Sequence, residues 1–210
     1  ARLGVMPRNG SNSDIKWIEI NPCFVFHPMN AYEENEKIIL HVCRQNKAMV
    51  GGMDEIYGGE DTTGKIWKWT INLTSGTCSE EQIDDRPCDF ARVDDRLVGL
   101  KAKNGYAMAL NEKAETLTFD QYLYKFDLEN NKRFDHNLGD NVFGGEPVFV
   151  PKSGSLSEDD GWVMAIVYDA NIDKSKLIIV DTENFDKKPV GEIILPQRVP
   201  FGAHGSWLSN

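Results

Sequence analysis

The sequence predicts an all-β protein built as a β-propeller, and three observations carry that prediction. Short apolar or alternating runs recur along the chain, separated by Gly, Asn, Asp and Pro clusters. No window holds helical periodicity over the roughly 10–12 residues that would identify a helix. A repeat underlies the runs: Trp69–Gly76, Tyr124–Asn131 and Ile178–Phe185 each pass from a strand through Asn or Asp into a polar turn. The equivalent positions Asn72, Asp127 and Asp181 lie 55 and 54 residues apart. That spacing suits one four-stranded propeller blade, slightly longer than the roughly 40–50 residues usual for such repeats. An ordinary β-sandwich would share the strands and turns and also accommodates three loosely similar segments. By this count the chain holds roughly four blades, either a closed four-bladed ring or part of a larger one whose remainder lies upstream.

Taken in order, the chain opens at Ala1 inside an apparent strand and without an initiator methionine, which suggests a piece of a longer polypeptide. Cys23–Phe26 is a short apolar run, and Lys37–Cys43 is rich in β-branched residues. Lys65–Leu73 alternates, with Ile66, Trp67, Trp69 and Ile71 set among polar residues. Arg96–Leu100, Gln121–Leu128, Val148–Val150, Gly161–Tyr168, Leu177–Val180 and Glu192–Leu195 complete the predicted strands. Turns are predicted at Gly51-Gly52, Gly58-Gly59, Glu129–Lys132 and Ser153–Ser155.

Composition narrows the function. Among 210 residues, 23 Lys and Arg face 33 Asp and Glu, a net charge of −10. A nucleic-acid binder needs a basic surface to neutralise phosphates, and no cationic cluster stands against this acidic field. A hydrophobic fraction of 40%, with five Trp, is enough for a buried core. No run approaches the roughly 18 apolar residues of a transmembrane span, and the first residues lack the apolar stretch of a signal peptide. Four separated cysteines without a C-x-x-C pair read as reduced thiols of a cytoplasmic protein. The triplets Asn9-Gly10-Ser11 and Asn72-Leu73-Thr74 are chance matches to the glycosylation pattern unless the protein is secreted.

Chemistry centres on four histidines. His41, in an alternating strand, and His136, in a polar turn, read as solvated or locally hydrogen-bonded. His27 ends an apolar strand before Pro28, and His204 sits between Gly202-Ala203 and Gly205, where backbone can approach closely. Both suit a borderline metal such as Fe or Zn, although two structural histidines explain the residues equally well, and two imidazoles do not close a site. Asp89 and Glu146 are acids at the edges of apolar strands, where a charge needs a partner. A metal-bound imidazole N–H is one such partner and a salt bridge to Arg92 or Arg198 another. Asp94-Asp95 reads as a solvated turn paired with Arg96.

Five ordered motifs then resemble the carotenoid cleavage oxygenases. They are Phe26-His27-Pro28-Met29-Asn30-Ala31-Tyr32-Glu33, Asp89-Phe90-Ala91-Arg92-Val93-Asp94-Asp95-Arg96, Gly145-Glu146-Pro147-Val148-Phe149-Val150-Pro151, Asp159-Asp160-Gly161-Trp162 and Val199-Pro200-Phe201-Gly202-Ala203-His204-Gly205-Ser206-Trp207. Leu3–Arg8 resembles the segment before the family's third histidine, and Arg92–Arg96 is most similar to the bacterial lignostilbene dioxygenase branch. The resemblance implies a seven-bladed propeller holding Fe(II) on its axis through four histidines, of which this chain is the C-terminal part as one domain over 1–210. The third and fourth histidines fall on His27 and His204, and the acids that orient ligand histidines fall on Asp89 and Glu146. The family usually has Glu at Asp89, and one methylene less predicts a water-mediated or absent bond there.

The first two histidines belong before Ala1, in a missing N-terminal half. The implied reaction is oxidative cleavage of a conjugated carbon–carbon double bond in a carotenoid, apocarotenoid or stilbene by O2, giving two carbonyl products. Phe26, Phe201 and Trp207, beside the ligands, are candidates to line an apolar substrate tunnel. The alternative is a non-catalytic propeller fragment that acts as a binding or assembly module.

Overall fold

The computed structural model describes residues 1–47, 62–111, 113, 119–202 and 204–208. The turns predicted at Gly51-Gly52 and Gly58-Gly59 lie outside them. Among the described residues fourteen strands run in chain order: β1 Arg2–Val5, β2 Lys16–Glu19, β3 Phe24–Glu34, β4 Lys37–Gln45, β5 Lys65–Asn72, β6 Thr77–Arg92 and β7 Asn104–Leu110, then β8 Phe119–Asp127, β9 Lys132–Asn137, β10 Val142–Phe143, β11 Val148–Pro151, β12 Gly161–Asp169, β13 Lys174–Asp181 and β14 Gly191–Ile194. Every pairing between them is antiparallel.

Strand β6 explains the architecture. Its residues Thr77–Pro87 pair with β5, and its last residues, from Cys88 to Arg92, pair with β7. The hydrogen-bonded run β3 to β9 is therefore two four-stranded blades sharing one long strand, which leaves the outside of one blade and enters the next. In the third blade β10 and β11 lie in line along β12, as one entering strand interrupted at Gly144–Pro147, followed by β12, β13 and β14. The described residues thus form three complete blades, a separate β1–β2 hairpin and a C-terminal segment without strand pairing, against the roughly four blades expected.

The repeat has a structural cause. Asn72, Asp127 and Asp181 each end the third strand of a blade, and each side-chain oxygen accepts backbone N–H groups of the following turn. Asn72 Oδ1 takes Thr74 and Ser75 at 2.9 Å, Asp127 Oδ1 takes Glu129 at 3.1 Å and Asn130 at 3.0 Å, and Asp181 Oδ1 takes Asn184 at 3.0 Å. A short side-chain acceptor there closes the turn into the fourth strand. The β3–β4 hairpin instead uses Asn35 and Glu36, both at positive φ (51° and 60°), the geometry of a two-residue turn matched to strand twist.

Two core layers fix the blades against each other. Met29, Cys43 and Ile66 of the first blade pack on Cys88, Ala107, Ala109, Tyr124 and Phe126 of the second. Tyr106, Met108, Leu110 and Leu123 pack on Val163, Val167, Ile178 and Val180 of the third. Strand β7 serves both layers by alternation, small residues toward one blade and large ones toward the other.

Four expectations change. Arg96–Leu100 is not a strand: Asp94 caps a 3-10 turn over Asp95–Leu97, Gly99 turns the chain at φ +83°, and Val98 and Leu100 point to solvent. Asp94 is buried rather than solvated, held by Arg96 at 2.6 Å. His41 is buried, and neither ring nitrogen meets a hydrogen-bond partner among the described residues. His136 is likewise buried, on β9 rather than in a turn, and its Nδ1–H bonds not a local group but the Phe185 carbonyl, 49 residues away, at 2.8 Å. No described helix is long and apolar enough to cross a membrane.

Candidate metal centre

Each entering strand delivers one chemical group to the same place. His27 lies on β3, Asp89 on the second half of β6, and Glu146 in the break between β10 and β11. His204 lies on the segment after β14, where a further entering strand would run. Along the chain the steps from His27 to Asp89 and from Glu146 to His204 are 62 and 58 residues. A one-blade period with a reactive group at each step is how a propeller concentrates distant residues at its axis.

The groups meet as two acid–imidazole pairs. His27 Nδ1 lies 2.9 Å from Asp89 Oδ1, and His204 Nδ1 lies 3.0 Å from Glu146 Oε1. The two imidazole centroids are 5.0 Å apart with planes at 81°. Each Nδ1 donates to its carboxylate, which selects the tautomer whose Nε2 carries a lone pair, and neither Nε2 meets a partner among the described residues. Burial would hold the His27 pKa down, but it is raised above its ordinary value. The hydrogen bond to Asp89 is the largest cause, helped by the negative charges of Asp89 and Glu146.

The Asp89 bond is direct, contrary to the water-mediated or absent contact expected from the shorter side chain. A β-bulge supplies the reach: Asp89 pairs with Met108 and Arg92 with Tyr106, so β6 carries one extra residue, and Phe90 takes a left-handed φ of 54°. Such a conformation in a bulky residue costs on the order of 1 kcal/mol and is held by its surroundings. The Phe90 N–H donates to Asp89 Oδ1 at 2.8 Å, and the Phe90 ring stacks on His27 at 4.6 Å and approaches His204 at 5.7 Å. Phe90 was not singled out from sequence; its position after Asp89 in the motif was the available signal.

Glu146 resolves the choice between salt bridge and imidazole by making both contacts. Its Oε2 accepts Arg92 Nη1 at 3.3 Å and the Gly205 N–H at 2.6 Å, while Oε1 serves His204. Arg198 lies elsewhere, over the rings of Tyr168 and Phe201.

A cavity of about 370 Å³ adjoins the His204–Glu146 pair, walled by Val148, Met164, Ile166, Leu177, Phe201 and Trp207 among others. Phe201 and Trp207 are among the residues lining this cavity, and Phe119, edge-on to Phe201 at 4.9 Å, joins them. Phe26 does not; it packs edge-on against Phe24 at 4.7 Å, with its ring 6.2 Å from His27.

The donor set tests the implied metal. Two neutral imidazoles with free Nε2 atoms, each backed by a carboxylate, suit a divalent first-row ion. Among the described residues no group of three His, Cys, Asp or Glu gathers around one point. What is present fits two ligands of a larger set.

The model of the family described as RPE65, retinal pigment epithelial membrane protein, matches residues 1–209. The chain belongs to that family. Among RPE65-family relatives, the carotenoid cleavage oxygenase of Mycobacterium tuberculosis (strain H37Rv) is 34% identical over 99% of this chain and 42% of its own length. The apocarotenoid-15,15'-oxygenase of Synechocystis is 31% identical over 99% of this chain, again 42% of its own length. A variant of Synechocystis apocarotenoid oxygenase superposes with a TM-score of 0.88 at 30% identity, over all of this chain and 44% of that one. The cobalt-substituted form of that oxygenase superposes at 0.86. The chain thus spans less than half the length of these relatives and has the β-propeller fold of the family.

Proposed function

We propose that this chain is the part of a non-haem Fe(II) dioxygenase that supplies two ligand histidines, His27 and His204, to an enzyme cleaving a conjugated carbon–carbon double bond. The carotenoid- and apocarotenoid-cleaving relatives favour a carotenoid or apocarotenoid over a stilbene as the substrate. One observation carries the reading: two imidazoles 5.0 Å apart, each one blade away from its own acid, both turned so that Nε2 is free. A binding module would need neither the matched tautomers nor the strained Phe90 that packs on both rings.

Iron, when bound, would activate O2 for addition to the double bond, with both oxygen atoms ending in the two carbonyl products and no separate reductant. The protein's share of the work is positional. Asp89 and Glu146 keep each Nδ1 protonated and each Nε2 available. Phe90 packs against both rings. The apolar walls beside His204, including Phe201 and Trp207, take up a hydrocarbon chain by burial alone, worth about 25 cal/mol per Å² of apolar surface. The net charge of −10 does not oppose a neutral substrate.

With only two imidazoles, the 210-residue chain alone is expected to hold less than stoichiometric iron and to cleave neither an apocarotenoid nor a hydroxystilbene. Joined to the upstream part of the propeller it should bind one iron and incorporate labelled oxygen from 18O2 into both products. Stoichiometric iron and turnover by the isolated chain would refute this division of the site. Failure of the joined protein to take up iron would refute the function.

A further inference from the structure

We propose that Arg92 is the positioning residue for His204: it clamps the unpaired C-terminal segment onto the second and third blades and so decides which nitrogen of His204 faces the centre. This rests on the reading that His204 Nε2 is the atom put to use. After Ile194 the described chain has no strand pairing, and the His204 side chain is 59% exposed. Upstream the segment is tied to β13 by two bonds between Val199 and Ser175, and at His204 its place is set by bonds that close a ring through three elements. Glu146 Oε1 accepts His204 Nδ1–H at 3.0 Å, and Oε2 accepts the Gly205 N–H at 2.6 Å. Arg92 Nη1 donates both to Glu146 Oε2, at 3.3 Å, and to the Gly205 carbonyl, while Nη2 is held by Asp95 at 3.0 and 3.2 Å.

The guanidinium links the 3-10 turn after β6, the acid of the third blade and the backbone beside His204 at once. A planar fork with several fixed donors can do this; a single ammonium cannot reach all three acceptors. By pinning Oε2, Arg92 keeps Oε1 directed at the imidazole, although it contacts neither ring itself. Its position follows from the β6 bulge. Asp89 reaches back to His27 of the first blade, and three residues later Arg92 reaches forward to the third blade and the segment beyond. One irregular strand end thus serves both histidines.

The test uses 15N spectra of the imidazoles and limited proteolysis of the C-terminal segment in the 210-residue chain at a pH where both rings are neutral. In the unaltered protein His204 should be a single Nδ1–H tautomer. Arg92→Ala should give mixed tautomers of His204 and cleave the segment about tenfold faster, the effect of one charged hydrogen bond, while His27 stays unchanged. Arg92→Lys should move both readouts in the same direction by less, and decides the matter if the alanine variant does not fold. An unchanged His204 tautomer and cleavage rate, or an equal change at His27, would overturn the proposal. Neither readout needs a metal. Iron uptake by the chain joined to its upstream part is measured separately, so its absence would remove the functional reading and leave the clamp judged on the spectra.

Discussion

His27 and His204 each place Nδ1 about 3 Å from a carboxylate, at 2.9 and 3.0 Å, but they stand on different kinds of support. His27 rides on an 11-residue strand within a blade, its side chain 24% exposed, and its acid lies on the neighbouring blade across a packed core. His204 rides on a segment outside the strand ladders, 59% exposed, tied upstream by Val199 to Ser175 and at the imidazole by Glu146 and Arg92. Two ligand groups of the same chemistry can therefore be fixed by different means, one by the cooperative stability of the fold and one by a few polar bonds. Perturbing the first should register in global stability, and perturbing the second in local order.

Acid should make the largest change, on the blade side. His41, on the strand paired with the one that carries His27, has its pKa pushed down to about 4, by burial first and by the Lys68 charge second. Between the unfolded value near 6.5 and about 4 the unfolded chain binds a proton that the folded chain does not, so stability falls as pH falls through that window. The full loss is about 3 kcal/mol, complete near pH 4. His136 shifts in the same direction, also through burial. Urea titrations at pH 7 and 4.5 check this, and His41→Gln should flatten the dependence; an equally steep one in the variant would assign it to other groups.

The two acids should separate next. Asp89→Ala strands the N–H groups of His27 and Phe90 and should cost about 2 kcal/mol in urea unfolding. Glu146→Ala leaves Arg92 still paired to Asp95 and should cost about 1 kcal/mol, yet free the C-terminal segment to proteolysis. Equal global costs would show that the segment is part of the cooperative unit, erasing the difference between the two supports.

What the sequence disclosed follows the same division. The blade repeat was visible because Asn72, Asp127 and Asp181 do a local job that every blade needs, and local turn chemistry is written in short stretches. The site residues were visible only through motif resemblance, since nothing in the residues from Ser79 to Asp84, mostly polar, announces that β6 crosses from one blade to the next. Strand β6 carries its polar side chains on an exposed outer edge, so the period-2 signal is weak there, and its bulge at Phe90 depends on partners tens of residues away. That bulge is also why the short Asp89 makes a direct bond. Arg92 was readable as a salt-bridge partner for an acid, but not as a link to the Gly205 backbone, a contact 113 residues distant.

The smallest expected effect is at Asp95, and it distinguishes where Arg92 is anchored. Asp95 holds Nη2 through both oxygens, but its side chain is 52% exposed and sits three residues from Arg92, in a turn. Exposed pairs of this kind contribute roughly 0–1 kcal/mol, because solvent screens the charges and side-chain entropy opposes the fixed geometry. The contacts to Glu146, whose side chain is 7% exposed, and to the Gly205 carbonyl are more sheltered or more directional. Asp95→Ala should therefore leave unfolding free energy within about 0.5 kcal/mol and change cleavage of the C-terminal segment less than about twofold. If Asp95→Ala instead loosened the segment as much as Arg92→Ala, the 3-10 turn after β6 would be the true anchor, and His204 would owe its position to the second blade rather than to the acid of the third.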